Sequence, residues 1–506
     1  MNPTAAHVKG PGRPGGHGVL RGLDDTPRTG PFEGRFGRMF EHLHAASFEQ
    51  ADLARLGGLM TAAVEATPTP ETEHDDEENT GIRAGYTYLG QFIDHDLTFD
   101  PVSSLDRQHD PKALEDFRTP RFDLDNVYGR GPSDQPYLYR SDGLHMLLGD
   151  RLTGADNDPN ARGVPRNRPF PDEPARALLG DPRNDENVIV SQLQAAFLRF
   201  HNRVVDFMGT SNFEEAQRTV RYHYQWLVLN DFLPTIVGES TWNSIKAELP
   251  RLRFFKPGRF GGIMPVEFSV AAYRFGHSMI RPIYRLNTNL ERLVIFLPDG
   301  APGDSLVGFR EFPSNWAIDW RLFFNLEPPP NAENLGPKRI QPAYKIDSSV
   351  VGALGGLPAS VASNPSSLAE RNLRRGARLG LPSGQDVAKA MDMKPIDDDL
   401  LKAGKANEDS ANSNKPLHSL IPAMKGKAPL WFYVLAEAQQ QFKNNETPIH
   451  LGDVGGRIVG EVFYGLMLAD KTSFLNARPD FKPIPGFCSS PGNFGIAELL
   501  KQAIQA

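Results

Sequence analysis

One cysteine, Cys488, is all the sulfhydryl chemistry that 506 residues offer, so no intramolecular disulfide can form. A reducing compartment is the simplest expectation, with a cytoplasmic location as the default. Export by a route needing no signal peptide is the alternative. No apolar run is long enough to span a bilayer, so no transmembrane segment is expected. The opening "MNPTAAHVKGPGRPGGHGVLRG" lacks the apolar stretch of a secretory signal. Positive charge is not in excess. The formal net charge is −7, which leaves no electrostatic footprint for nucleic acid and no basic stripe for a membrane surface. Gly-rich phosphate loops, internal repeats and clear strand-type alternation are missing too.

Apolar residues make up 39% of the chain, ample for a large core. Length alone would allow roughly two to four domains. Proline (43) and glycine (47) are frequent, which suggests many fixed loops joining helices. Residues 1–30 are rich in Gly, Pro and Arg without periodicity and read as a mobile arm. Residues 67–80, "TPTPETEHDDEENT", read as a solvated acidic loop. Helical spacing marks "AGYTYLGQFIDHDLTF", "NVIVSQLQAAFLRFHNRVVDFM" and "EEAQRTVRYHYQWLVLNDFL". It also marks "VEFSVAAYRFGHSMIRPIYRL" (266–286), which Pro282 should end or kink. "DSSVVGALGGL", "SLAERNLRRGARLGL", "PLWFYVLAEAQQQFKN" and "DVGGRIVGEVFYGLML" read as further helices. The expectation is a mainly α chain: an arm over 1–30, then one large helical domain over 31–506 with long loops and little β.

Four constellations carry potential chemistry. In "LGQFIDHDLTF", Gln91 and His95 are i and i+4 and share a helix face. Asp94 lies at the edge of that face, and Asp96 points roughly 100° further round. Alone, an acid-flanked histidine is usually a surface turn. In "GDPRNDENVIVSQL", Arg183 and Glu186 stand at i and i+3 ahead of a long apolar helix. They read either as an ordinary first turn favoured by the helix dipole or as a cation and a carboxylate delivered to a cavity. In "YRFGHSMIRP", Arg274 and His277 are i and i+3 on an apolar segment. The histidine is a satisfied core residue or a metal ligand whose second nitrogen is held by an acceptor. His201 and His223 compete for that role. In "FRTPRFDLDNVYG", Thr119, Arg121, Asp123 and Asp125 alternate, so an extended loop would turn their oxygens to one side. Calcium takes about six to eight such ligands, although a solvated acidic loop would look the same.

Together these segments resemble the animal-type haem peroxidases of the peroxidase–cyclooxygenase superfamily, in what looks like a bacterial form. The resemblance runs through "LGQFIDHDLT", "RTPRFDLDNVYG", "GDPRNDENVIVSQLQAAFLRFHNRVV", "AAYRFGHSMIRP" and "RNLRRGARLGLP", in the family's order, over residues 83–480. It implies a mainly helical fold around haem b. His95 is similar to the distal histidine, Arg183 to the distal arginine and Gln91 to the glutamine that holds waters or a halide. His277 resembles the haem iron ligand and Asn372 its hydrogen-bonding partner, with Arg274 pairing a haem propionate. Asp94 and Glu186 match the carboxylates that become ester-linked to haem in mammalian members. Asp96, Thr119, Arg121 (through its carbonyl), Asp123 and Asp125 match a calcium site. His201 falls on a motif that the family keeps without a catalytic role.

The resemblance implies an enzyme that reduces hydrogen peroxide and oxidises a small donor: a halide, thiocyanate or a phenol. A neutral imidazole at position 95 would take the peroxide proton and return it to the departing oxygen. Asn187 stands where the family's most halide-oxidising member has a sulfonium-forming methionine, so that link is excluded. The family's "RGRDHG" is here "RRGARLG", with Ala377 and Leu379 in place of a charged pair. Fatty-acid dioxygenases of the superfamily carry a radical tyrosine three residues before the iron ligand. Here Arg274 holds that position, and Tyr273, one residue earlier, is expected to turn away from the distal channel. A calcium-stabilised adhesion protein without catalysis is the rival from another class.

Overall fold

The computed structural model describes residues 36–98 and 120–506, except 66, 71, 169, 258–261, 291, 298–302, 328–335, 337, 360, 363 and 408–413. The arm expected over 1–30 lies outside them. The helices include, in chain order, α1 (Gln50–Leu59), α2 (Gly85–Leu97), α3 (Val188–Met208), α4 (Phe213–Leu227), α5 (Leu368–Arg378), α6 (Leu430–Gln439), α7 (Asp453–Ala469) and α8 (Ile496–Ile504). Local chemistry sets their ends. Asn187 caps α3 by accepting from Ile189 N at 3.1 Å and Val190 N at 2.8 Å, and Gly209 closes it in the left-handed region at φ 59°. Asn212 caps α4 through Glu215 N, and Ser367 caps α5 through Glu370 N.

α3 is the central strut, buried on nearly every side. It packs against α2, α4 and α8. Phe92 of α2 stacks on Phe197 of α3 with ring centroids 4.3 Å apart. α2 starts where the chain passes under Phe324; a Cβ on Gly85 would lie 2.3 Å from that ring, so only glycine fits. One apolar cluster links residues from Phe36 to Ala503. Strands form only two-stranded pairs among the described residues. The pair that matters for the site is Glu78–Arg83, antiparallel to Pro342–Tyr344, which leads directly into α2.

That strand corrects the end of the solvated loop expected over 67–80, whose earlier described residues are exposed or half-exposed as expected. Glu77 and Glu78 are buried, and Glu78 accepts from two fully buried guanidinium groups, Arg281 at 3.0 Å and Arg339 at 2.7 Å. Two expected helices are also corrected. Residues 266–286 break into Val266–Ser269, a 3₁₀ turn over Ala272–His277 and a short strand at Ile283–Tyr284. Residues 347–357 are extended apart from a 3₁₀ turn at Gly352–Gly355. Bridges from Ser348 to Gly404 and from Val350 to Thr61 supply the pairing there. In both stretches tertiary contacts override a periodicity that would also suit a helix.

Candidate active site

α2 presents Gln91, Asp94 and His95 to one cavity, joined by Glu186 just after the 3₁₀ turn Pro182–Asp185. The opposite wall is Tyr273, Arg274 and His277, from the 3₁₀ turn Ala272–His277. Two histidines more than 180 residues apart in sequence therefore line one space. At three residues per turn, Arg274 and His277 eclipse each other, which brings both to that wall.

The His95 ring is oriented by residues the sequence reading did not single out. Its Nδ1 lies 2.7 Å from Asn184 Oδ1. Asn184 Nδ2 donates to Gln194 Oε1 at 2.8 Å, and Gln194 Nε2 donates on to the Asn126 carbonyl at 3.4 Å. The amide of Asn184 is thereby committed with its oxygen toward the ring. Nδ1 carries the proton in the neutral ring and donates to Asn184, while Nε2 keeps a lone pair on the cavity side, 3.6 Å from Glu186 Oε1. Gln91 Nε2 donates to the same Glu186 oxygen, and Asn187 Nδ2 donates to Gln91 Oε1 at 3.0 Å. Asn187 thus caps α3 and fixes Gln91. Burial pushes the Glu186 pKa up, with the charges of His95 and Arg183 pulling it back.

Arg183 departs from its expected place. It does not line the cavity. Asp181 holds its guanidinium at 2.8 Å, and Nη2 also donates to the carbonyls of His95 at 3.0 Å and Thr98 at 2.5 Å. It therefore clamps the C-terminal end of α2 from the flank.

On the other wall, burial and the neighbouring Arg274 charge lower the His277 pKa to about 3, so the ring is neutral. Its Nδ1 lies 2.8 Å from Asn372 Nδ2, and Arg274 Nη1 donates to Asn372 Oδ1 at 3.1 Å. Tyr273 corrects an expectation, because it does line the cavity. Its hydroxyl is committed to the Gly90 carbonyl at 3.0 Å. The rival histidines are structural. His201 is bonded at both nitrogens, to Tyr128 Oη and the Leu144 carbonyl, and His223 likewise to the Thr219 carbonyl and Ile484 N. Burial lowers each to about 4.

Asp96 leaves the cavity face as its helical position requires. One oxygen each from Asp96, Asp123 and Asp125 lies within 4.8 Å of the others. The loop is not extended. Leu124 takes left-handed angles, φ 57° and ψ 36°, which are strained for leucine and swing the two flanking acids to one side. Asp125 N donates to Asp96 Oδ1 at 3.1 Å and Asp123 Oδ1 at 3.2 Å. Arg121 sits two residues before Asp123 and is half-buried. Thr119 lies outside the described residues.

The comparisons agree with this architecture. The animal haem peroxidase family model matches residues 106–297. The human "Probable oxidoreductase PXDNL" is 28% identical over 204 residues, 34% of this chain and 14% of that protein. The Drosophila melanogaster chorion peroxidase is 27% identical over 227 residues, 42% of this chain and 26% of that protein. The matches thus span only a minor part of these relatives. Peroxidase A from Dictyostelium discoideum superposes with a TM-score of 0.56 at 16% identity, covering 94% of this chain and 93% of that one, which shows a shared fold. Over residues 106–297 the chain is similar to the animal haem peroxidases, and it shares its fold with a solved peroxidase. Among the described residues, no helix is long and apolar enough to cross a membrane.

Proposed function

We propose that the chain is a haem peroxidase that reduces hydrogen peroxide and oxidises a small donor: a halide, thiocyanate or a phenol. The observation that carries this reading is the single cavity with Gln91, Asp94, His95 and Glu186 on one wall and Arg274 and His277 on the other.

The residues fit haem. His277 is neutral, and its Nε2 has no hydrogen bond among the described residues, as an iron ligand needs. Iron ligation through Nε2 requires a proton on Nδ1, and hence the Asn372 oxygen toward the ring. Turning that amide releases Arg274 from Asn372 Oδ1 and frees it to pair with a porphyrin propionate. Haem bound here would supply the iron that cleaves peroxide and passes its oxidising equivalents to the donor.

The chain's own residues handle the proton. His95 Nε2 takes it from the peroxide oxygen that becomes bound and returns it to the oxygen that leaves. Asn184 keeps the ring in the tautomer that can do so. Gln91, fixed by Glu186 and Asn187, offers an amide to a water or halide. Arg183 is a positioning residue that holds the end of α2. Asp94 and Glu186 are the carboxylates placed to form haem esters. The Asp96, Asp123 and Asp125 cluster fits calcium, because three like charges, two of them buried, need a cation that prefers oxygen. Tyr273, committed to Gly90, does not favour the dioxygenase alternative.

Haem titration followed by the Soret band tests the reading. Saturation at one haem per chain is expected, with peroxide-dependent oxidation of bromide, thiocyanate or a phenol. Absence of a Soret band removes the proposal, and oxygen uptake with linoleate in the absence of peroxide transfers it to the dioxygenases. After peroxide exposure, mass analysis of denatured protein should find retained haem, reduced by Asp94→Asn and by Glu186→Gln. Asn184→Leu should slow the reaction with peroxide by about 10–100-fold at unchanged haem content, the scale typical of a lost orienting partner. Stopped-flow absorbance would measure that rate.

A further inference from the structure

Tyr86 is shared by two cavities. It lines the space between His95 and His277, and it also walls a second pocket with Asp231, Phe324, Asn325, Asn493 and Glu498. The rim of that pocket is exposed at Pro491 and Asn493. The Tyr86 phenol donates to Asp231 Oδ1 at 2.5 Å, and Asp231 Oδ2 accepts from Ile496 N at 2.7 Å. Asp231 stands on a π-helical turn, Val228–Phe232, that interrupts the run after α4. Such turns are rare and often occur at functional sites. The proton chemistry proposed above uses none of these groups.

We propose that Tyr86 relays single electrons between the haem cavity and a donor site in the second pocket, and that this donor is a phenol. The relay rests on the haem reading above. The pocket offers amides at Asn230, Asn325 and Asn493 to a hydroxyl, and the buried rings of Phe324 and Phe494 form part of its apolar floor. Phe324 meets Tyr86 edge-on with centroids 5.4 Å apart.

In the first step Tyr86 gives one electron to the haem that peroxide has oxidised, and its O–H bond breaks as the proton passes to Asp231. In the second step the bound phenol gives one electron to Tyr86. Asp231 returns its proton to the Tyr86 oxygen, the phenol's own proton goes to solvent, and a phenoxyl radical departs. Two such cycles restore the haem after one peroxide. The electrostatics agree. Burial, then the Asp231 charge, holds the Tyr86 pKa well above its usual value, so the proton does not leave ahead of the electron. Burial also raises the Asp231 pKa, making it a better acceptor.

The test is peroxide added to haem-loaded protein without donor, frozen and read by electron paramagnetic resonance. A tyrosyl radical is expected in the natural protein and its loss in Tyr86→Phe. Asn493→Trp, on the exposed rim, should keep the radical. It should also lower kcat/KM for 2-methoxyphenol relative to bromide by about tenfold or more. Binding of 2-methoxyphenol to the haem-free protein, followed by NMR, should be lost in Asn493→Trp. An unchanged radical in Tyr86→Phe overturns the relay, and so does unchanged phenol oxidation in both variants. Protein that reacts with peroxide but forms no radical at Tyr86 sinks the relay alone. Protein that takes up no haem sinks the reading beneath it.

Discussion

Replacing His95 with alanine should slow the reaction of the haem-loaded protein with hydrogen peroxide by about 10²–10⁴-fold, the usual worth of a positioned proton shuttle. Of the groups lining the His95 wall of the cavity, this imidazole is the one whose tautomer is fixed by a buried chain through Asn184 and Gln194. Gln91 and Glu186 hydrogen-bond each other, and Arg183 is turned to the flank. None of them can both take and return the proton as readily. Haem uptake should not change, because the ligand His277 is on the opposite wall. The measurement is the second-order rate in stopped flow, with haem content as the control. A rate within tenfold of the natural protein would assign the proton transfer to another group. Imidazole in the buffer should partly restore the alanine variant, because the cavity left behind has the shape of the missing ring.

Removing calcium should cost the fold about 2.7 kcal/mol when the ion had been present at a hundred times its dissociation constant. The cluster joins α2, through Asp96, to the loop that carries Asp123 and Asp125. The strained backbone at Leu124 persists only while something rewards it. Asp96 is fully buried, and Asp125 is 4% exposed. Without a cation their mutual repulsion opposes the packed state. Burial, and next the Asp96 charge, drive the nearby Tyr224 pKa well up, a sign of the negative field at this spot. Chelator should therefore lower the denaturant midpoint of the natural protein, and calcium should restore it. Asp125→Ala should start lower and no longer respond to calcium. An equal calcium response in both proteins would place the ion elsewhere. Because Asp96 is the residue after His95, chelation should also slow the peroxide reaction before global unfolding begins.

Much of this site was legible in the sequence. Gln91, Asp94, His95 and Asp96 follow from helical geometry alone: the first three reach one face and the fourth another, as found. Arg274, His277 and Asn372 also converge, although the first two sit on a 3₁₀ turn and not on the helix their spacing suggested. Tyr273 was misplaced for a different reason: rotation does turn it away from Arg274, yet its ring reaches across to the Gly90 carbonyl on α2 and so still borders the cavity. Asn184 and Gln194 were missed because an amide has no distinctive signature in sequence. Their value lies in which neighbour each atom bonds. Arg183 was assigned to the cavity, but Asp181, two residues away, captures its guanidinium, a competition that motif spacing does not record. Glu78 looked like part of a solvated acidic run, and only the fold shows the arginines that bury it.

That glutamate has a mechanical consequence. Glu78 lies a few residues ahead of α2, whereas Arg281 follows His277 by four, and their carboxylate–guanidinium contact is sealed from water. One ionic rivet therefore fastens the two jaws of the cavity to each other, with Arg339 as a second pin. The gap between the jaws is set by the polypeptide before any prosthetic group arrives, so the empty protein should already have the jaw spacing of the loaded one.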